Sequence, residues 1–445
     1  MRASASVLSM WIALGICRPS IANADEPIRC DLGPALAHRS RPQPLNDWRP
    51  ASIGSIDSAK VPITVHWQQG VSLEYAKQIL SYAEFAWNVE INQMKFRAPL
   101  PDHGIGGSDN LDIYVVTTLP HGVGGYTGFS NFADASLKTG YGYINISDVL
   151  LPAYIRGVVA HELFHTIQMA YTWWEEPPLL EGTATWVVDH VVPDEKYYWH
   201  YFPYFNSKPY HSLNYTSQTD AYQYGNALWF TYLDEHVGQG DGGFVRELFE
   251  SLAKLPVDYR SHYFDTLKAQ VGGDGAMQKL YSEFGFWRVE LGSREDHRHF
   301  AKGSDWNLTV NPSIELTASP GLSTASGQES NGIEAYGQAI FSIARNTAKP
   351  IRSHFIFAGA STGDYSIGAV LRSPTGNSLI EPQAFKGGDP VTIDLEPASN
   401  VNEILFTVSY FGDTNTNLDL NQFPAKGFAY RLENSSAAEG QSIKN

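Results

Sequence analysis

The chain has 445 residues, 31 Lys+Arg against 47 Asp+Glu, and two cysteines. A net charge of −16 excludes a nucleic-acid binder, which needs a basic face against phosphates, and excludes electrostatic docking on anionic lipid. The length predicts two to three domains, 43% hydrophobic residues suffice for sizeable cores, and two cysteines exclude a disulfide-dense scaffold or a CxxC zinc pair.

The chain opens with Arg2, an apolar stretch from Val7 to Ile16, then Pro19 and the small-residue run Ile21-Ala22-Asn23-Ala24. That layout predicts a signal peptide over 1–24, cleaved after Ala24, and a secreted or periplasmic protein. No later stretch reaches the ~18 apolar residues a transmembrane helix needs. Cleavage removes Arg2, Arg18 and Cys17, so the charge moves from −16 to −18 and Cys30 is left without an internal partner. Residues 25–60 are Pro-rich and weakly patterned, and read as a leader or extended arm. Cys30, in Ile28-Arg29-Cys30-Asp31-Leu32, has two readings: a thiolate that folds over a metal and keeps the protein latent, or an inert thiol.

From Val61 the pattern sharpens. A strand is predicted over 61–67, a helix over 73–94 with Ala76, Ile79, Leu80 and Ala83 near helical spacing, and a strand over 111–117. The glycine-rich stretch 122–128 misses the dinucleotide-binding spacing, since Thr127 stands at the third glycine position, and reads as a turn-rich loop. A strand follows over 140–147, then a helix over 152–171 starting at Pro152. Further helices are predicted over 180–189, 220–236, 243–253 and 274–291. All eleven Trp lie at or before Trp306, and beyond it short β-rich runs alternate with Gly, Pro, Asn and Ser. Strands over 338–344, 351–357, 366–371, 391–395, 403–410 and 427–432 predict a β-sandwich over 306–445. Asp413-x-Asn415-x-Asn417-x-Asp419 lacks the glycine and glutamate of a calcium loop and reads as a turn.

The sharpest feature is His161-Glu162-Leu163-Phe164-His165. Residues four apart share a helix face, so both imidazoles reach one metal, and Glu162 sits beside the open position where it can take a proton from a metal-bound water. Gln168 and Tyr171 stand where a metzincin has Gly and His, and Ala184, Thr185 and Trp186 follow Gly182-Thr183 where an aspzincin has its Asp. Glu181, in the first turns of a helix pre-set by Pro177 and Pro178, is the third-ligand candidate, with Glu175, Glu176 and Asp189 as alternatives.

HExxH followed by Glu181-Gly182-Thr183-Ala184-Thr185-Trp186 resembles the gluzincin metallopeptidases, the group containing thermolysin and aminopeptidase N, and most of all secreted bacterial proteins with HELFH and EGTATW segments. The resemblance spans roughly residues 110–235, with a 15-residue gap between His165 and Glu181 that is shorter than in the best-known members. It implies an α+β zincin-like catalytic domain over 61–305 followed by an all-β sandwich domain. It also implies Zn2+ on His161, His165 and Glu181, and Glu162 as general base. In aminopeptidases a strand glutamate holds the substrate amine; the matching stretch Gly140–Ser147 has no acid, which favours an endopeptidase acting on protein or peptide. Tyr143–Asn145 are then candidates for pairing with an extended substrate. The Tyr-x-x-Gly register places Tyr222 as the oxyanion donor, with Tyr224 as the alternative. By analogy with appended domains, the sandwich would bind substrate, polysaccharide or the cell surface. The contrasting reading is a non-catalytic zinc-containing adhesin or carbohydrate-binding surface protein, whose closed metal site would not need Glu162.

Overall fold

The computed structural model describes residues 29–32, 49–117, 119, 123–150, 152–217, 220–258, 261–306, 308, 314–318, 324–345, 347, 351–360, 362–412 and 425–434. The expected signal segment 1–24 and the acidic run 413–419 lie outside them.

Alternating apolar residues build the first sheet. β1 (Arg29–Leu32), β2 (Gly54–Asp57), β3 (Ile63–Trp67), β4 (Leu111–Val116), β5 (Val123–Phe132) and β6 (Gly140–Ser147) are ordered β1-β5-β6-β4-β3-β2. β3, β4 and β6 run parallel; β5 is antiparallel to β6, and β1 is parallel to β5. Period-two alternation sends Ile63, Val65, Ile113, Val115, Ile144 and Ile146 into one apolar core. There they meet α1 (Leu73–Trp87) and α2 (Pro152–Met169). α1 begins where the Ser72 hydroxyl accepts the Tyr75 amide at 3.1 Å, and it buries Ala76, Ile79, Leu80, Ala83, Ala86 and Trp87. The opposite sheet face holds an ionic cluster in which Arg49 pairs with Asp112 and, at 2.6 Å, with Asp102, while His66 meets Asp112 at 2.8 Å.

Within the stretch read as a leader or arm, β1 and β2 are sheet strands, and Arg49 is a buried partner of two carboxylates. The glycine-rich stretch is not a loop, because β5 runs through Gly124, Gly125 and Gly128. A Cβ on Gly125 would lie 2.9 Å from Val158 Cγ1 and 3.0 Å from Glu162 Cγ, and one on Gly128 2.6 Å from the Tyr143 ring. The glycines let this strand press against α2 and against its neighbour, a reason for glycine that period and turn chemistry do not carry.

After α2 come α3 (Pro177–Val191), a short α4 (Phe202–Asn206), α5 (Tyr222–Gly225), α6 (Ala227–Tyr232), α7 (Gly243–Lys254), α8 (Tyr263–Val271) and α9 (Asp274–Val289). The helix expected over 220–236 is therefore broken into α5, α6 and a π-helical turn, Leu233–Val237. Trp306 and Leu308 still belong to the first core. β7 (Ile314–Ala318), β8 (Thr324–Ile333), β9 (Gly337–Arg345), β10 (Ser353–Gly359), β11 (Asp364–Arg372), β12 (Ser378–Lys386), β13 (Val391–Leu395), β14 (Glu403–Tyr410) and β15 (Lys426–Asn434) form sheets ordered β13-β10-β15-β8 and β12-β11-β14-β9-β7. Their inner faces share one core, with Phe355, Phe357 and Leu432 from one sheet against Phe341, Ile367 and Phe406 from the other. An α+β region thus precedes a β-sandwich. Among the described residues no helix is long and apolar enough to cross a membrane.

Candidate metal centre

α2 carries His161, Glu162 and His165, and α3 packs against it carrying Glu181. Pro177 and Pro178 start α3 directly after the loop, so Glu181 falls in its second turn, facing back to α2. The three side chains are buried. His161 Nε2 lies 3.0 Å from His165 Nε2 and 3.2 Å from Glu181 Oε2, and His165 Nε2 lies 3.4 Å from the same carboxylate oxygen. Zinc bonds of about 2.0–2.1 Å in a tetrahedron set ligand atoms about 3.3 Å apart, so the triangle fits that ion.

Burial and the charges within the group shift the three side chains in different directions. Burial lowers the pKa of His161, favouring the neutral imidazole. At His165 burial acts the same way, but the Glu181 carboxylate outweighs it and the pKa is raised. Burial would raise Glu181, yet His165 and His161 hold its carboxyl down to about 2, keeping it ionised.

Two supporting residues had not been anticipated. Gln168 Oε1 sits 2.8 Å from His165 Nδ1, while Gln168 Nε2 donates to Leu180 O at 2.8 Å and Thr183 Oγ1 at 2.9 Å. Its amide thus ties α2 to α3 and leaves the His165 Nε2 lone pair for a metal. Its place one turn after His165 was a usable helical-spacing signal. Thr127, on β5, donates from Oγ1 to Glu162 Oε2 at 2.7 Å and also lies 3.0 Å from the Glu162 carbonyl oxygen. No sequence signal pointed to it, because it reaches Glu162 only through the close approach of β5 to α2.

The other candidates separate. Glu175 is the N-terminal cap of α8, accepting from Ser261 Oγ at 2.7 Å and from the Tyr263 amide at 3.1 Å. Asp189 pairs with Lys302 and accepts from the Tyr198 hydroxyl, and Glu176 lies at the N-terminal boundary of α3. Tyr222 is not brought to the metal group. Its hydroxyl donates to the carbonyls of His211 and Ser212, each at 3.2 Å, and its ring packs on Phe205, His211 and Tyr215. Tyr224, two residues on in the same short helix α5, lies there instead, its ring stacked on His161 with centroids 6.0 Å apart. Tyr143–Asn145 do not form an open edge either: β6 is flanked by β5 and β4, and β5 in turn by β1, which takes the edge of the sheet on this side. Cys30 lies on β1, its Cα paired with that of Gly125. A small cleft touches His161, Thr185, Glu195 and Tyr201. A larger one between α7 and α8 contains none of the metal-centre residues.

No protein-family model matches the chain. No curated protein matches it either. Among solved structures, PliG from Aeromonas hydrophila, a periplasmic inhibitor of g-type lysozyme, is 12% identical and covers 27% of this chain and 97% of its own, with a TM-score of 0.19. The surface-associated copper-binding protein CorA of Methylomicrobium album BG8 is 9% identical over 27% of this chain and 97% of that one, TM-score 0.18. The pre-peptidase C-terminal domain of a Bacillus anthracis collagenase is 9% identical over 28% of this chain and 98% of that one, TM-score 0.16. At these scores the likeness carries no argument about fold or function.

Proposed function

We propose that the chain is an exported zinc-dependent endopeptidase whose α+β region is zincin-like. The observation that carries this reading is the buried donor triangle of His161, His165 and Glu181 with a fourth residue, Glu162, held beside it by Thr127. Among the described residues three donors make up the group; a purely structural zinc site takes four protein ligands. The base also distinguishes the two uses of a metal, since a structural site has no need of a carboxylate anchored next to its ligands.

His161, His165 and Glu181 would hold the ion. A bound zinc supplies Lewis acidity toward a carbonyl and brings the pKa of a water to about 7. Glu162 would take up a proton at its carboxylate from the attacking water and return it to the leaving amine, as general base and then general acid. Thr127 keeps the carboxylate in one rotamer for both transfers. Tyr224 takes over from Tyr222 as the candidate for supporting the oxyanion, because its ring is the one against His161.

Glu162→Gln tests the reading. Zinc content should equal that of the wild type while cleavage of casein or a peptide library falls by a factor of about 10²–10⁴. Zinc-loaded wild type that cleaves nothing across broad libraries would sink the peptidase reading and favour the adhesin.

A further inference from the structure

β1 is a four-residue strand from far up the chain that forms the outer strand of the first sheet beside β5, the strand that approaches the metal centre. It runs parallel to β5 with Cys30 opposite Gly125, Asp31 opposite Tyr126 and Leu32 opposite Thr127. Two β5 residues at this level are close to Glu162: a Cβ on Gly125 would lie 3.0 Å from Glu162 Cγ, and Thr127 donates from its hydroxyl to Glu162 Oε2 at 2.7 Å. β1 also lies against α2, the helix that carries both histidines. The other edge of β5 is taken by β6.

An extended peptide joins a sheet by main-chain hydrogen bonds to an open edge, and an edge accepts one strand at a time. A peptide adding to β5 at the level of Glu162 and the strand Arg29–Leu32 therefore exclude each other. Four residues supply only a few ladder bonds, each worth little net against water, so the segment is held weakly enough to be displaced. We propose that Arg29–Leu32 is an autoinhibitory strand that occupies the substrate's position on β5 and must leave before an extended peptide can bind. This rests on the peptidase reading for its consequence; the occupancy itself does not.

The test uses the full chain as wild type, Cys30→Pro and Asp31→Pro. Successive amides of a strand point to opposite sides, so one of the two prolines removes a donor to β5. In that variant the Val123–Thr127 amides should exchange with solvent about tenfold faster, and peptide cleavage should rise about five- to tenfold through a lower KM with kcat unchanged. A synthetic peptide of residues 28–33 added in trans should restore protection and compete with substrate. The same peptide carrying Cys30→Ser should do so equally, which separates strand pairing from thiol ligation. Equal exchange and equal KM in all three proteins would overturn the proposal, as would a peptide that neither protects β5 nor competes. If no zinc-loaded form cleaves, the peptidase reading fails, while exchange and peptide protection still decide whether β1 holds this edge.

Discussion

Gln168 decides which nitrogen of His165 faces a metal. Its Nε2 is committed to Leu180 O and Thr183 Oγ1, and the Thr183 hydroxyl is in turn committed to Leu179 O, so Oε1 is the atom left to accept from His165 Nδ1. Replacing Gln168 with Leu removes that acceptor and frees the ring to rotate. Zinc affinity measured by chelator competition should fall about 10–100-fold, the usual cost of losing a partner behind a ligand. Affinity equal to wild type would show that packing alone orients the ring. At this scale the motif residues were readable because a helix puts i and i+4 on one face. Tyr222 and Tyr224 were not, because both lie in the short helix α5 and which of them faces His161 is set by how that helix packs, which the apolar pattern does not mark.

Element ends and edges depend on groups that come from elsewhere in the chain. α8 starts beneath Glu175, a carboxyl on the α2–α3 connection some ninety positions earlier, and burial pushes this group from the ordinary 4.5 up to about 7 despite the bonds it accepts. A carboxyl raised on folding stabilises the native state while protonated, so its contribution is full below 4.5 and is lost as pH climbs through 7. Glu175→Gln keeps an acceptor without a charge. Its unfolding free energy relative to wild type should therefore improve between pH 5 and pH 8, by up to about 3 kcal/mol. A difference independent of pH in denaturant melts would contradict this. β5 shows the same dependence on distant partners: Gly125 and Gly128 stand where α2 and the Tyr143 ring leave no room for a side chain.

The two halves of the molecule are joined by a buried interface. α9 lays Phe286 and Val289 on Ile340, Val370 and Leu405 of the five-stranded sheet. Beside them Arg288 is fully buried, its guanidinium bonded to Asn206 Oδ1 at 3.0 Å, Phe205 O at 3.1 Å and Gln338 Oε1 at 3.2 Å. Glu334 reaches back to the His211 ring and the Ser212 amide, the segment whose carbonyls hold Tyr222. The sandwich is thereby coupled to the loop leading into α5 and Tyr224. Arg288→Ala takes the guanidinium donors from Asn206 Oδ1 and Gln338 Oε1 and leaves a cavity at this junction, and should cost about 3–5 kcal/mol in urea unfolding. A loss under 1 kcal/mol would mean that the interface relaxes around it.

Local chemistry in the sequence was enough to pick out the His161, His165 and Glu181 group with Glu162 beside it, the strands of the sandwich and the helices that carry the group. Helical spacing, proline at helix starts and period-two alternation are near-neighbour effects written into adjacent residues. What only the tertiary structure decided is everything that needs two distant segments to touch. That includes Thr127 on Glu162, the Tyr224 ring on His161, Glu175 as a cap instead of a ligand, glycines that make a strand rather than a turn, and Arg29–Leu32 along the edge of β5. Such contacts are set by close packing between elements, and packing space is a property of the assembled core that no window of sequence contains.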